Sequence, residues 1–262
     1  MNILETIIAK KRIEVAERKK SKSITELEQG PFFKNKVLDF KTYLSREDKT
    51  GIIAEFKRRS PSKGVINNTA TVKEVTSAYS KYGASGLSVL TDEEFFGGSL
   101  NDLLEATVNE VPILRKDFII DEYQLVESKA YGAEVILLIA ACLDKNEVKQ
   151  LASSAKNIGL NVLLEIHNEG ELEHICDEVD VVGVNNRDLK TFAVDIHRSI
   201  ELSNKILDSK IKISESGIDD VSSIKLLRQH GFKGFLIGEK FMKEKDPGEA
   251  FKKFVAELNK EA

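Results

Sequence analysis

The residues best placed for chemistry lie in the stretch Ile52–Pro61, an apolar run that ends in a carboxylate, Glu55, and an amine, Lys57. Because successive side chains of a strand point to opposite faces, Glu55 and Lys57 share the face of Ile53. An acid and an amine on the inner face of a strand cost free energy unless they are paired or used. The basic, proline-broken loop that follows marks the carboxyl end of the strand, where α/β enzymes place their chemistry.

The bulk properties limit the class of protein. The 262 residues are 41% hydrophobic and 31% charged, with a formal net charge of −4. This composition is ordinary for a globular protein and argues against a general nucleic-acid binder. The longest apolar run, Val135–Leu143, is too short to span a bilayer. Two isolated cysteines and no signal-peptide pattern predict a cytoplasmic protein that does not associate with membranes.

From Gly51 onward, short apolar runs alternate with helical patterns. The runs begin near Ile52, Leu87, Ile113, Val135, Val162, Val181, Ile211 and Phe235. The predicted helices span residues 72–81, 100–108, 123–131, 145–158, 169–176, 196–205, 221–230 and 247–258. Because alternating strands and helices form parallel sheets, these repeats predict an α/β fold that closes as a (β/α)8 TIM barrel. The alternative is an open, doubly wound sheet, whose usual glycine-rich nucleotide turn is missing from this sequence.

The first 46 residues have a different pattern. Apolar residues recur near helical spacing among charged ones and predict an amphipathic helix over residues 3–20. They are Ile3, Ile7, Ile8, Ile13, Val15 and Ala16. Ser23 and Glu26 have the spacing of a capping box and predict a second helix. We therefore predict one barrel domain over residues 1–262, with residues 1–46 as a helical extension laid over it.

Charged and polar side chains gather at the ends of the predicted strands, where a barrel places its active site. They are Glu55 and Lys57 on strand one, Lys116 on strand three, Glu165 on strand five, Asn185 and Arg187 after strand six, and Glu215 on strand seven. Lysines and carboxylates in a partly desolvated mouth have their pKa values pushed apart, as acid–base catalysis requires. The set therefore predicts a catalytic mouth, next to an aromatic loop over residues 95–99 that we expect to be mobile.

The ends of strands seven and eight predict an anion site. Ser216, Gly217 and Gly238 expose backbone N–H groups just before predicted helices, an arrangement that favours phosphate. Ser60 and Lys63, after strand one, are placed to close over the same anion. The carboxylate of Glu239 would then have to point away from it.

Two further patterns bear on the chemistry. For His167, two residues after Glu165, the pattern favours a structural role over a place at the edge of the site. No group of His, Cys and Asp residues has the spacing of metal ligands, so we expect no metal.

Taken together, these segments resemble the indole-3-glycerol phosphate synthase family, and the resemblance covers essentially the whole chain. The matching segments are residues 53–62, 90–92 with 95–99, 114–119, 164–165, 185–189, 214–218 and 236–239. The resemblance implies a lyase of tryptophan biosynthesis that needs no cofactor. Its substrate would be 1-(2-carboxyphenylamino)-1-deoxyribulose 5-phosphate, and its products indole-3-glycerol phosphate, carbon dioxide and water.

The resemblance also implies roles for individual residues. Lys116 would be the general acid that protonates the ribulose carbonyl, and Lys57 would contact the substrate carboxylate and assist as a proton donor. Glu165 and Glu55 would transfer protons during ring closure and dehydration. The residues expected to position the anthranilate and hydroxyl groups are Asn185, Arg187 and Glu215. Those expected to hold the phosphate are Ser60, Ser216, Gly217 and Gly238. Those expected to pack on the aromatic ring are Phe96 and Phe118.

The residues alone leave two other functions open. One is a different phosphate-binding barrel enzyme, such as a sugar-phosphate isomerase or a Schiff-base aldolase that uses Lys57 or Lys116. The other is a binding barrel without catalysis, which the convergence of charged strand ends disfavours. In each case we expect the chain to be a monomer.

Overall fold

The computed structural model describes residues 3–189 and 191–260, and within them eight parallel strands close into a barrel. The strands are β1 (Ile52–Phe56), β2 (Gly86–Leu90), β3 (Ile113–Lys116), β4 (Val135–Ile139), β5 (Asn161–Ile166), β6 (Val181–Asn185), β7 (Ile211–Glu215) and β8 (Phe232–Ile237). Each strand pairs with the next one along the chain, and Ile52 opposite Phe235 joins β1 to β8. The prediction of a barrel is confirmed, and the alternative prediction of an open, doubly wound sheet is wrong.

The extent of the domain stays a prediction. Of the range 1–262, the residues Met1, Asn2, Lys190, Glu261 and Ala262 lie outside the described residues.

Helices precede the barrel and connect its strands. They are α1 (Ile3–Ser21), α2 (Ile24–Glu28), α3 (Phe40–Ser45), α4 (Val72–Lys81), α5 (Glu93–Phe96), α6 (Leu100–Ala106), α7 (Glu122–Ala130), α8 (Lys145–Asn157), α9 (His197–Ser203), α10 (Val221–Gln229), α11 (Glu239–Met242) and α12 (Pro247–Lys260). The predicted capping box is present, since Ser23 and Glu26 each bond the other's backbone N–H. Across residues 3–189 and 191–260, no helix is long and apolar enough to cross a membrane.

Two predicted segments differ from the structure. The predicted loop over residues 95–99 is only partly a loop, because the Asp92 side chain accepts a hydrogen bond from the Phe95 N–H at 2.8 Å and starts the short helix α5, which includes Phe95 and Phe96; residues 97–99 form the loop. The predicted α-helix over residues 169–176 is a 3₁₀-helix, Glu169–His174. Between β1 and α4, Arg59–Ser60 pairs with Gly64–Val65 in a small antiparallel hairpin.

The hydrophobic core has two parts. Side chains that point outward from the strands pack under the helices, and those that point inward fill the barrel. Inside the barrel, Phe40 and Leu44 of α3 join the inward-facing strand residues. The Phe40 N–H donates to the Asn161 side chain at the start of β5, so α3 closes the amino-terminal end of the barrel. The extension therefore completes the barrel core at the end away from the strand termini.

Helix α1 lies at the opposite end of the barrel. Its buried face consists of Ile7, Lys11 and Val15, whereas Ile13 is 59% exposed, contrary to the predicted apolar face. Lys11 is only 1% exposed, and its Nζ lies 2.9 Å from Asp92, after β2, and 2.8 Å from Asp117, after β3. Burial by itself would lower the pKa of Lys11, but the carboxylates outweigh it and raise that pKa. The ammonium group thus fastens α1 to the carboxyl ends of two strands.

Replacing Lys11 by Met is expected to lower the free energy of unfolding by about 3–5 kcal/mol, because buried carboxylates then lose a cation. The matched control is Lys10→Met, since Lys10 is 55% exposed and pairs with the exposed Glu94; its cost should stay below about 1 kcal/mol. Urea unfolding of both variants measures the difference. Equal losses of unfolding free energy in the two variants would contradict the inference that the buried Lys11 anchors α1 to the barrel.

Candidate active site

A cavity of about 600 Å³ opens at the carboxyl ends of the strands. It is lined by all of the residues predicted for the site, which are Glu55, Lys57, Ser60, Phe96, Lys116, Phe118, Glu165, Asn185, Arg187, Glu215, Ser216, Gly217 and Gly238. The residues predicted from the sequence therefore meet at one cavity, and its identity as the active site stays a prediction. The roles of these residues stay predictions.

At the centre of the cavity, one ammonium group bridges two carboxylates. Lys116 Nζ donates to Glu165 Oε2 and to Glu215 Oε2, each at 2.7 Å. The Asn185 side chain at the end of β6 donates to the other Glu165 oxygen, Oε1, at 3.0 Å. Both carboxylates are nearly inaccessible to solvent, so these contacts replace the water that the ions lost on folding.

The charges around Lys116 decide its protonation. Burial alone would lower the pKa of Lys116, but the carboxylates of Glu165, Glu215 and Glu55 outweigh this effect and raise it well above its usual value. Lys116 therefore carries its proton at neutral pH and can act as an acid. A Schiff-base aldolase needs a neutral amine, so this environment disfavours that alternative.

The two carboxylates that share Lys116 differ in their pKa values. Burial raises the pKa of Glu215 to about 7, with the neighbouring charges of Glu165 and Glu55 adding to the rise. At Glu165, burial is outweighed by Lys116 and by His167, which hold its pKa well below the usual value. Two acids whose environments push their pKa values apart are typical of acid–base catalysis.

Four charged groups of the site form one layer across the barrel, contributed by alternate strands. They are Glu55 of β1, Lys116 of β3, Glu165 of β5 and Glu215 of β7. Two residues earlier on the same strands, and therefore on the same face, stands an apolar layer of Ile53, Leu114, Leu163 and Ile213. Such four-residue layers are the usual filling of this barrel. The apolar layer excludes water from beneath the charged one.

A glycine in the middle of β6 makes room for Glu215. A Cβ atom at Gly183 would lie 2.3 Å from Glu215 Oε1, which is closer than any real contact. This oxygen is buried and has no hydrogen-bond partner among the described residues. An unpaired buried carboxylate oxygen favours the protonated acid, consistent with the raised pKa of Glu215.

On β1, the Glu55–Lys57 pair is formed as its spacing predicted. Lys57 Nζ lies 2.7 Å from Glu55 Oε1, and both side chains line the cavity. A Cβ atom at Gly238 would approach Glu55 Oε1 to 2.6 Å, so this glycine lets the end of β8 pass close to the acid. Strand one therefore presents a paired acid and amine beside the end of strand eight.

Aromatic and aliphatic groups line one side of the cavity. The rings of Phe96 and Phe118 lie 6.2 Å apart, and Leu137 and Ile139 of β4 continue the apolar surface. Helix α1 adds Ile7, a contribution with no signal in the sequence. This side can take a flat apolar group.

The opposite side of the cavity is suited to an anion. Ser216 and Gly217 are consecutive residues with positive φ angles, 69° and 71°. The Asn186 side chain donates a hydrogen bond to the Ser216 carbonyl at 3.1 Å. The turn at these two residues exposes backbone N–H groups ahead of helix α10, and exposed N–H groups in a turn favour anions. Lys63 and Arg187 add positive charge to the same side.

Glu239 does not point away from the cavity, as the sequence had led us to expect. Its carboxylate lines the cavity, 3.3 Å from Lys63 Nζ and 3.7 Å from the Arg187 guanidinium group. The physical reason is charge, because the two cations on this side attract the nearby carboxylate.

Three residues next to the site were missed or undervalued in the sequence. Lys11 is one of many lysines on α1 and carries no distinguishing signal. His167 packs against Glu165, although the pattern favoured a structural role. Gly183 did have a usable signal, because a glycine inside a strand often marks a close approach by another group. Among the described residues, no group of three or more His, Cys, Asp or Glu side chains could hold a metal ion.

Comparison with known sequences supports one family. The model of the family described as indole-3-glycerol phosphate synthase matches residues 4–254. A protein of that name from Bacteroides thetaiotaomicron is 49% identical over 255 residues, which cover 97% of this chain and 98% of the relative. Relatives of the same name from Chromobacterium violaceum and Salinibacter ruber are 41% and 39% identical, covering 95% and 99% of this chain and 96% and 97% of the relatives.

Solved structures agree with the fold. The tryptophan synthase α subunit from Legionella pneumophila superposes with a TM-score of 0.61 at 13% identity, over 84% of this chain and 97% of that one. A chain of the tryptophan synthase complex from Pyrococcus furiosus gives 0.60 at 15% identity, over 81% and 99%. At such low identity these likenesses concern the barrel fold alone.

The raised pKa of Glu215 predicts a pH-dependent stability. The unfolded chain releases this proton near pH 4.5 and the folded protein near pH 7, so the stability contributed by protonated Glu215 is lost as the pH rises between them. The free energy of unfolding of the protein, relative to that of the Glu215→Gln variant, should therefore fall from pH 5 to pH 7.5. Chemical denaturation across this range measures it.

The matched control is Glu257→Gln, which removes an exposed carboxylate from α12. The free energy of unfolding of the protein, relative to that of Glu257→Gln, should not fall over this pH range. If the difference in free energy of unfolding between the protein and Glu215→Gln stays constant with pH, Glu215 is ionised throughout.

Proposed function

The chain belongs to the indole-3-glycerol phosphate synthase family, and we propose that its barrel mouth closes the indole ring of 1-(2-carboxyphenylamino)-1-deoxyribulose 5-phosphate. The products are indole-3-glycerol phosphate, carbon dioxide and water, which makes the enzyme a carboxy-lyase of tryptophan biosynthesis. The observation that carries the proposal is the position of Lys116. Its protonated amine lies 2.7 Å from both Glu165 and Glu215 in the centre of the cavity.

The first step forms the carbon–carbon bond. The ring carbon that bears the carboxylate attacks the ribulose carbonyl carbon, and Lys116 donates a proton to the carbonyl oxygen, which becomes a hydroxyl group. We assign Lys57, which pairs with Glu55, to the substrate carboxylate. Carbon dioxide then leaves, and its bonding electron pair restores the aromatic ring. A preorganised proton donor of this kind typically contributes about 10²–10⁴-fold to the rate.

The second step removes water. The new hydroxyl group leaves with a proton from Lys57 or Lys116, and the adjacent carbon loses a proton to a carboxylate. Glu165 is suited to accept it, because its lowered pKa keeps it ionised at neutral pH. Glu55, paired with Lys57, is placed to support the same transfer. Asn185, Arg187 and Glu215 are proposed to position the substrate.

The two sides of the cavity support one direction for the substrate. We assign the phosphate to the turn at Ser216 and Gly217, with the Gly238 backbone and Ser60 beside it. The aromatic ring is assigned to the apolar side, where it packs on Phe96 and Phe118. The carbonyl carbon then falls between these two ends, near Lys116.

We further propose that the enzyme acts as a cytoplasmic monomer. The monomer is supported by the cavity itself, whose charged layer comes from four strands of one chain.

Replacing Lys116 by Met should abolish turnover, a loss of at least about 10³-fold, while substrate affinity stays within about tenfold. The purified protein is incubated with the carboxyphenylamino substrate, and the indole product is followed by its fluorescence. The matched control is Lys212→Met, because Lys212 is also a buried strand lysine, but its Nζ donates to the Ser203 carbonyl outside the cavity. Thermal melting confirms that both variants are folded. Turnover by the Lys116→Met variant would refute the assigned acid, and no turnover by the unaltered protein would refute the function.

Replacing Glu239 by Gln should tighten the binding of inorganic phosphate about two- to fivefold, because the carboxylate beside Lys63 and Arg187 repels and competes with a bound anion. Isothermal titration with phosphate measures the change. The control is Glu244→Gln, which removes the same charge from an exposed position close by. Unchanged or weaker binding in the Glu239 variant would mean that this carboxylate organises the anion site instead of competing for it.

A further inference from the structure

His167 lies directly behind Glu165, just after β5. Its side chain is 7% exposed. Its Nε2 lies 3.2 Å from Glu165 Oε1, and its Nδ1 lies 3.3 Å from Glu171 Oε2. The ring thus stands between a carboxylate of the cavity and a carboxylate of the 3₁₀-helix that follows β5. Of these three residues, only Glu165 lines the cavity.

Glu171 is held firmly in its place. Its Oε2 accepts the backbone N–H of His167 at 2.7 Å, and its Oε1 accepts the side-chain amide of Asn168 at 2.6 Å. A carboxylate fixed by these bonds can orient the imidazole ring and decide which of its nitrogen atoms carries a proton. The 3₁₀-helix is therefore connected through one ring to the cavity.

The charges around the ring favour the imidazolium ion. Burial lowers the pKa of His167, but the contacts with Glu165 and Glu171 outweigh burial and raise the pKa to about 9. The other titratable groups that face this cluster are Lys116 from β3, Glu215 from β7 and Cys142 after β4.

Glu165 consequently has a cation at each oxygen. Lys116 lies at Oε2, on the cavity side, and His167 lies at Oε1, on the buried side. Lys116 is assigned to give up a proton during the reaction, so its electrostatic attraction to Glu165 changes during the catalytic cycle. The contact with His167 does not involve the substrate and remains.

We propose that the Glu171–His167 pair positions Glu165 and keeps it ionised, so that Glu165 stays a competent proton acceptor throughout the cycle. This inference rests on the proposed function, because it assumes that Glu165 accepts a proton from the substrate. His167 is a positioning residue that acts through Glu165 and does not itself contact the substrate.

The test replaces His167 by Gln, which keeps a polar side chain but removes the positive charge. We expect kcat to fall about 10- to 100-fold, the size of effect known for the hydrogen-bond partners behind metal ligands, which orient those ligands in the same way. The acid limb of the pH profile of kcat/KM should move upward by about one pH unit, because Glu165 loses a neighbouring cation and is protonated more easily. A purely structural residue would not move this limb.

A second variant and a control separate the pair from general damage. Glu171→Gln leaves the ring in place and should move the acid limb in the same direction, because His167 then loses the carboxylate that keeps it charged. The control is His174→Gln on the same 3₁₀-helix, whose two ring nitrogens lie within hydrogen-bond distance of the backbone carbonyls of Glu171 and Leu143. Its acid limb should coincide with that of the unaltered protein. An unmoved limb in both His167→Gln and Glu171→Gln would overturn the inference.

The pair can also be tested without turnover, which separates its failure from a failure of the proposed function. NMR titration of the ring protons should place the pKa of His167 above 8 in the full-length protein and lower in Glu171→Gln. A value near the ordinary 6.5 in both proteins would overturn the inference, whatever reaction the enzyme catalyses.

Discussion

The site depends on the sharing of one ammonium group, that of Lys116, between two buried carboxylates, Glu165 and Glu215. A buried amine keeps its charge only beside an acid, and two acids can stand this close only if a cation or a proton lies between them. Each group therefore sets the protonation of the others, so that Lys116 keeps its proton, Glu165 is ionised and Glu215 takes up a proton near neutral pH. A substrate that displaces one of these contacts changes all three.

This interaction places strict demands on the scaffold. Strands β3, β5 and β7 must end at the same height and face one another across a closed barrel, which the ordered register of the sheet ensures. Gly183 must lack a side chain so that Glu215 can fit, and the apolar layer beneath must exclude water. Lys11 adds a constraint from outside the barrel, because it binds Asp117, the residue that follows Lys116. The N-terminal helical extension thus stabilises the site through its contact with the residue that follows β3.

The features that could be predicted are those with a local cause. The period of two along a strand placed Glu55 and Lys57 on one face, and the same rule placed Lys116 and Glu165 inward. Alternation of apolar runs with helical patterns was sufficient for the barrel, because each unit covers its own part of the sheet. The Asp92 cap on Phe95 is also local but was overlooked, so Phe95 and Phe96 belong to a short helix instead of the expected loop. Local rules failed at Glu239, because contacts with cations distant in the sequence drew its side chain toward the cavity.

By itself, the sequence determined the fold, the residues that gather at the carboxyl end of the barrel and, through their combination, the family. All of these follow from periodicity and motif spacing, which act over a few residues. The tertiary structure alone decided which charges share which partners. Lys116 and Glu215 are 99 positions apart, and Lys11 meets Asp117 only because α1 folds across the barrel. The strength of such contacts varies with distance and burial, which are properties of the folded chain, so the protonation of the site could not be inferred from residue order.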